Sequence, residues 1–185
     1  MLHTMSYDSP VGELLLAEKD GALVGLWIKG QKYFLDPWKG ELAEPSESML
    51  LKQAASWLSR YFNGEKPPLQ ELKIAPAGSA FRKEVWRILC GIPYGEVATY
   101  GEISKKISAN RKFGNTSARA VGGAVGHNPI SIIIPCHRVV GAGGSLTGYA
   151  GGIDKKMKLL AHERADMEKL PIPKTGIGGN LQTLF

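Results

Sequence analysis

The feature that most constrains the fold is a change of pattern at the short segment APAGS, residues 75–79. Before it, apolar residues form strand-length runs and one amphipathic helix, whereas after it most periodic segments have helical spacing. The sequence therefore predicts an N-terminal domain at residues 1–76 and a second domain at residues 77–167. The tail at residues 168–185 matches no assigned element and is a candidate for disorder.

Charge changes at the same place. Residues 1–79 carry a net charge of −2 and residues 80–164 carry +8, within a total of +6 for the chain. A total of +6 alone also suits a solubilising surface, but its concentration in one half favours an acidic partner, most simply nucleic acid.

The sequence excludes several classes of protein. No run approaches the eighteen or so apolar residues of a membrane helix, so no membrane partner is expected. The N-terminus lacks the basic start and apolar stretch of a secretory signal. Two cysteines in 185 residues argue against a disulfide framework. We expect an intracellular, cytoplasmic protein, or a nuclear one if the source is eukaryotic.

The first half is predicted to be an α/β domain with a small antiparallel sheet and one helix. Two apolar runs flank Asp20-Gly21, a pair that tolerates the positive φ angles of a hairpin turn. The stretch SMLLKQAASWLSRYF has a helical apolar period, and the segment NGEKPP ends it. The predicted apolar face comprises Leu50, Leu51, Ala54, Ala55, Leu58, Tyr61 and Phe62.

The second half is predicted to be mostly α-helical, with a winged helix-turn-helix-like arrangement. Ser79 and Thr99 are suited to cap two helices, in SAFRKEVWRILCGI and TYGEISKKIS. A basic loop, ANRKFGN at residues 109–115, leads to a further helix that is predicted to start at Thr116. That loop is longer than the usual helix-turn-helix connection.

This last helix is made almost entirely of small residues. From Ser117 to Gly126, Arg119 is the only charged residue, and the pair Gly122–Gly123 lies in the interior. Each glycine costs about 1 kcal/mol relative to alanine in a helix. Two reasons could offset that cost: close packing against another helix, or close approach to a bulky partner such as a nucleic-acid backbone.

Cys136 lies at the end of an apolar segment. Ile132–Ile134 is predicted to be a short buried strand whose hydrogen bonding ends at Pro135. A buried cysteine is commonly structural and inert. Cys136 is, however, followed directly by His137, and an imidazole can help a thiol to ionise.

Neighbouring side chains of an extended chain point to opposite faces, so we expect a water between Cys136 and His137 rather than direct contact. His137 would also need an acceptor to orient it. Glu163, on an apolar-periodic helix at residues 153–165, is one candidate. A solvated helix face is the alternative for that glutamate.

Several motifs together resemble one family. The stretch IPCHRVVG, preceded by ARAVGGAVGHNP and followed by LTGYAGG and LLAHE, resembles the O6-alkylguanine-DNA alkyltransferases, as does FRKEVWRILCGIPYGEVATYGEIS. The resemblance is strong over about residues 80–165 and holds only in outline for residues 1–79. It implies direct-reversal DNA repair, in which an alkyl group passes from O6-alkylguanine, and also from O4-alkylthymine, to the protein.

The resemblance implies a single-turnover methyltransferase. Cys136 matches the residue that accepts the alkyl group, His137 the one that takes the thiol proton through water, and Glu163 the acid that orients the histidine. A thioether has no easy return to a thiol, so transfer is expected once per molecule. No cofactor is implied, and no zinc site is expected, because the first half has no cysteine and only His3 as a histidine.

The resemblance also implies a base pocket. Tyr100 matches the tyrosine that hydrogen-bonds the flipped base, and Tyr149 matches a pocket wall. The backbone of Val139 and Ala150 corresponds to groups that contact the base edge. Asn128 matches the hinge between the recognition helix and the active-site segment.

The implied partner is double-stranded DNA that contains alkylated guanine, bound through its minor groove by a monomeric protein. Arg119 resembles the arginine that fills the stack vacated by the flipped base. The other positions of the helix assigned to DNA contact are Ser117, Ala118, Ala120, Gly122 and Gly123. Position 131 is Ser where some relatives have proline, so the acceptance of bulky benzyl groups stays open.

Two other functions remain alternatives. One is a DNA-binding module without chemistry, which the intact Cys136, His137 and Glu163 argue against. The other is a cysteine hydrolase, which would leave the basic half unexplained and has no asparagine or aspartate obviously placed to orient the histidine.

Overall fold

The computed structural model describes residues 1–110 and 112–171. Most of the tail predicted at residues 168–185 therefore lies outside the described residues, and so does the prediction that this tail is disordered. Residue 111 of the long basic loop is also outside them. The predicted domain boundaries stay a prediction.

The N-terminal half contains a four-stranded sheet in the order β3-β2-β1-β4. The predicted hairpin is confirmed, because β2 and β3 pair in antiparallel fashion and both turn residues, Asp20 and Gly21, have positive φ. The fourth strand pairs parallel to β1, so the sheet is mixed rather than antiparallel throughout. The strands are β1 Leu2–Ser9, β2 Gly12–Lys19, β3 Ala22–Ile28 and β4 Ala43–Pro45.

One helix, α1 (Met49–Phe62), packs on this sheet, as predicted. It starts at Ser48, whose hydroxyl accepts a hydrogen bond from the Leu51 backbone N–H. Its buried face differs from the predicted one in including Trp57 and in leaving Leu50, Ala55 and Phe62 only partly buried. One hydrophobic core extends from this helix into the second half of the chain.

The C-terminal half is helical, as predicted. Ser79 and Thr99 cap α2 and α3, and Thr99 forms a reciprocal capping box with Glu102. The small-residue helix α4 begins at Ala118 rather than at Thr116, because Ser117 is extended and its hydroxyl caps the Ala120 N–H. The elements are α2 Ala80–Leu89, β5 Ala98–Thr99, α3 Tyr100–Ala109, α4 Ala118–Gly126, β6 Val139–Val140 and α5 Ile153–His162.

The strand predicted at Ile132–Ile134 is wrong. These residues are buried but form a turn, with Ile132 at a positive φ of 70°. The chain coils because the Ile134 backbone N–H donates to Ile130 O, and the Ile134 carbonyl accepts from the Asn128 side chain. High apolarity indicated burial correctly but did not determine the backbone shape.

The free edge of β3 joins the two halves. The Leu26 N–H donates to Pro129 O, and the Ser131 N–H donates back to Leu26 O, both at 2.8 Å. The segment that connects α4 to Cys136 is therefore anchored on the N-terminal sheet. Among the described residues, no helix has the length and apolarity needed to cross a membrane.

Candidate active site

Cys136 begins a single 3-10 turn, Cys136–Arg138, directly after Pro135. Its side chain is buried, with 4% exposure. Burial raises the pKa of the Cys136 thiol, while the Asn128 side chain and the Lys156 charge act in the opposite direction. The resting thiol is therefore protonated at neutral pH, and a nearby base is needed to make it a nucleophile.

His137 and Glu163 form a buried pair beside Cys136. The His137 Nε2 atom lies 2.7 Å from Glu163 Oε1, and the two residues are 0% and 2% exposed. Glu163 is the residue that ends α5. The alternative of a solvated helix face for Glu163 is therefore wrong.

The protonation of this pair follows from its hydrogen bonds. Burial alone would raise the pKa of Glu163, but His137 and Arg138 outweigh burial and lower it. A carboxylate only accepts hydrogen bonds, so His137 Nε2 carries the proton and Nδ1 keeps its lone pair. Burial also lowers the pKa of His137, which favours the neutral ring. Nδ1 is buried and has no hydrogen-bond partner within the described part of the chain.

Two charged residues of this site were missed in the sequence analysis. Arg138 binds Glu163 through Nε (2.8 Å to Oε2) and Nη2 (3.0 Å to Oε1). The position of Arg138 directly after His137 in the sequence could have indicated that it belongs to the site. Lys156 is fully buried and donates to the carbonyls of Val139 and Thr147, and burial lowers its pKa to about 8. Its place on the apolar face of the helix, at helical spacing from Ile153 and Leu160, was a signal that the sequence analysis did not use.

Asn128 connects the end of α4 to the turn before Cys136. Its amide nitrogen donates to Ile134 O at 2.8 Å and to Ile130 O at 3.3 Å, while its side-chain oxygen accepts from the Ile130 N–H. The residue is 4% exposed. These bonds make a continuous physical link between the small-residue helix and the thiol.

A cavity of about 370 Å³ opens between α4, the loop before α5 and the N-terminal half. The Tyr100 hydroxyl donates to Thr147 O and Gly148 O at 3.3 and 3.2 Å, and burial raises its pKa to about 12. Cys136 and Val139 do not line this cavity; both are buried. The lining residues are Lys32, Tyr33, Tyr100, Gly122, Gly123, Gly126, His127, Gly148, Tyr149 and Ala150.

The N-terminal half contributes residues to this cavity that the sequence analysis missed. Tyr33 stacks on His127, with ring centroids 3.9 Å apart, and the Lys32 backbone N–H donates to Ala150 O at 2.9 Å. No sequence signal marked this loop, because both contacts are made only after the halves fold together. The Tyr149 hydroxyl is buried without a hydrogen-bond partner among the described residues.

The first turn of α4 is exposed to solvent. A Cβ atom built on Gly123 would meet nothing within 4 Å, and one on Gly122 would make only ordinary contact, at 3.8 Å from the Tyr100 ring. Helix packing does not require these glycines, so the packing interpretation is wrong. A smooth surface for a bulky partner is the alternative that remains. The exposed predicted positions are Ser117, Ala118, Arg119, Ala120 and Gly123, with Gly122 partly buried.

Comparisons with known protein families match both halves of the chain. Residues 80–165 match the model described as 6-O-methylguanine DNA methyltransferase, DNA binding domain. Residues 2–76 match the model described as 6-O-methylguanine DNA methyltransferase, ribonuclease-like domain.

Curated relatives and solved structures give the same result. Methylated-DNA--protein-cysteine methyltransferases from Mycolicibacterium paratuberculosis and Methanosarcina barkeri are each 44% identical. The alignments cover 89% and 88% of this chain and 93% and 99% of the relatives. The crystal structure of Mycobacterium tuberculosis OGT in complex with DNA is similar with a TM-score of 0.76 and 40% identity, covering 91% of this chain and 95% of that one.

Proposed function

This chain belongs to the 6-O-methylguanine DNA methyltransferase family, and we propose that it repairs DNA by moving alkyl groups from O6-alkylguanine to Cys136. The observation that carries the proposal is the buried thiol of Cys136 beside the His137–Glu163 pair, whose free Nδ1 can accept a proton. The matching relatives are named for this activity.

Transfer begins with the removal of the thiol proton. A water carries it from Cys136 to His137 Nδ1, and the charge of Glu163 stabilises the imidazolium that forms. The thiolate attacks the alkyl carbon, and the bond between that carbon and guanine O6 breaks. Guanine keeps the electron pair and takes up one proton, so the overall reaction replaces one thiol hydrogen by an alkyl group.

The base reaches the thiol by leaving the DNA stack. Flipping costs a few kcal/mol and is least costly for a damaged base. The exposed, small-residue start of α4 enters the minor groove, and Arg119 occupies the vacated position. In the pocket, Tyr100 exchanges its bonds to Thr147 and Gly148 for one to the base, and Tyr149 packs on it.

For the backbone of Val139 and Ala150 to hydrogen-bond the base edge, the pocket must open toward Val139, which is buried in the DNA-free protein. Asn128 transmits the position of α4 to the active-site segment. The remaining positions on α4 complete the shape of the surface: Ser117, Ala118, Ala120, Gly122 and Gly123. The protein carries out this reaction inside the cell, where its DNA substrate lies.

Intact-mass spectrometry tests the function. The protein is mixed with a duplex that contains one O6-methylguanine, with an unmodified duplex as the matched control. We expect each chain to gain one methyl group and no more, even with excess damaged DNA. Binding without a gain in mass would favour a module without chemistry, and product formed in excess over protein would favour a turning-over enzyme.

A further inference from the structure

Tyr61 extends from the N-terminal half into the candidate active site. It lies near the end of α1, is 1% exposed, and its hydroxyl is 2.7 Å from Glu163 Oε1. The two residues are 102 positions apart in the sequence. Because Glu163 is a carboxylate, the tyrosine hydroxyl is the donor.

The hydroxyl completes a full set of donors around Glu163. Oε1 accepts from Tyr61, His137 and Arg138, and Oε2 accepts from Arg138 and from the Gly95 backbone N–H at 3.2 Å. The oxygen that faces His137 is thus the same oxygen that binds Tyr61. Any change in the Tyr61 hydrogen bond therefore changes the partner of the catalytic histidine.

The ring of Tyr61 is held independently of its hydroxyl. It stacks on Trp57 at 5.7 Å with an interplanar angle of 8°, and it meets Phe62 and Tyr94 edge-on. The Tyr61 carbonyl also lies 2.7 Å from His162 Nε2. A phenylalanine at this position keeps the ring contacts and removes only the hydrogen bond.

We propose that Tyr61 is a positioning residue for alkyl transfer, which makes the N-terminal half part of the reaction machinery rather than a separate scaffold. The proposal rests on the proposed function. The hydroxyl fixes the plane of the Glu163 carboxylate, and its hydrogen bond stabilises the negative charge on Oε1. His137 is thereby held with Nε2 on Glu163 and with Nδ1 unpartnered among the described residues, and it remains neutral, ready to accept the thiol proton.

The Tyr61→Phe variant tests this role against the Tyr7→Phe control. Tyr7 also places its hydroxyl against α1, 3.0 Å from the Ser59 hydroxyl, but it has no contact with Glu163. Single-turnover transfer from an O6-methylguanine duplex is measured at saturating protein across a range of pH, together with DNA affinity. We expect Tyr61→Phe to lower the rate about tenfold, the size expected for the loss of one hydrogen bond to a charged group, while Tyr7→Phe matches the parent protein.

The pH profile separates positioning from simple packing. Without the Tyr61 donor, Oε1 attracts the His137 proton more strongly, which raises the pKa of His137. Transfer needs the neutral ring, so the acid limb of the profile moves to higher pH in Tyr61→Phe. DNA affinity should not change.

If Tyr61→Phe lowers the stability of the fold, a double-mutant cycle with Glu163→Gln still distinguishes a role in positioning from a general loss of stability. If Tyr61 acts through Glu163, the rate losses of Tyr61→Phe and Glu163→Gln are not additive. An unchanged rate and profile in Tyr61→Phe, or additive losses in the cycle, overturns the positioning role while leaving the proposed function intact. A parent protein that transfers no methyl group overturns both.

Discussion

The two cysteines of this chain show what turns a buried thiol into a candidate nucleophile. Cys90 ends α2 and is partly buried, and burial raises the pKa of its thiol. Cys136 is almost fully buried, and burial raises its pKa as well. Burial and a protonated resting thiol are therefore common to both and explain nothing about reactivity.

The surroundings of the two thiols differ. Cys136 precedes His137, which Glu163 orients, and Asn128, just after α4, binds the carbonyl of Ile134 in the turn before Cys136. Cys90 lines another cavity, together with Trp57, Pro93 and Arg138 but without a histidine or a carboxylate. What distinguishes Cys136 from Cys90 is thus a neighbouring histidine that a carboxylate orients and a connection to α4 through Asn128, and each can be removed separately.

The largest effect is expected from removing the thiol itself. Cys136→Ala should abolish transfer and leave DNA affinity unchanged, because the basic surface and α4 stay intact. Cys90→Ala is the matched control and should transfer at the parent rate. The measurement is transfer of a radiolabelled methyl group from duplex DNA, and residual labelling of Cys136→Ala would break the distinction between the two thiols.

Removing the negative charge of the His137–Glu163 pair should have the next largest effect. Glu163→Gln leaves His137 without a negative partner in the transition state, so we expect a single-turnover rate about 100-fold lower. DNA affinity should be close to that of the parent. Glu168→Gln, at an exposed position on the same half, is the control. An unchanged rate in Glu163→Gln would mean that its contact with His137 has no part in transfer.

The route for the substrate is tested at Arg119. Its planar guanidinium can stack on bases and hydrogen-bond to the orphaned partner, whereas lysine keeps only the charge. We expect DNA affinity to fall in Arg119→Ala and to be largely restored in Arg119→Lys. The single-turnover rate of Arg119→Lys should still be lower than that of the parent, because the flipped state loses about 1–3 kcal/mol of stacking. Salt titrations of binding accompany single-turnover rates. A lysine variant as fast as the parent would show that charge suffices.

The smallest expected effect concerns the tightness of the Cys136 site. An added methyl group in a packed interior costs about 1–3 kcal/mol, here beside Asn128. The methylated protein should melt about 2–4 °C lower for each kcal/mol lost. The comparison is made by calorimetry, with Cys136→Ala carried through the same DNA treatment as the control. Equal melting temperatures of the methylated and free forms would mean that the site accepts the group without strain.

Local signals in the sequence predicted much of the fold. The Asp20-Gly21 hairpin and the Ser79 and Thr99 caps depend on nearby residues, and all three are confirmed. The Ile132–Ile134 strand failed because side-chain hydrogen bonds from Asn128 decide its backbone shape. Hydrophobic pattern does not record such bonds.

The site was predictable where it follows the motifs and not where it depends on long-range contacts. Cys136, His137 and Glu163 were named from the motifs, and the structure brings the last two together. The spacing of apolar residues in their helices could place Tyr61 and Lys156 on buried faces, but it could not identify Glu163 or the carbonyls of Val139 and Thr147 as their partners. Their importance arises only when the two halves pack together.

The position of the transferred group is the most direct test of the difference between the two thiols. After stoichiometric reaction with O6-methylguanine DNA, the protein is digested and the peptides that contain Cys90 and Cys136 are quantified by mass spectrometry. We expect the methyl group on Cys136 alone, with Cys90 unmodified. A methyl group on Cys90, or shared between the two, would contradict the assignment of Cys136 and its neighbours as the site of transfer.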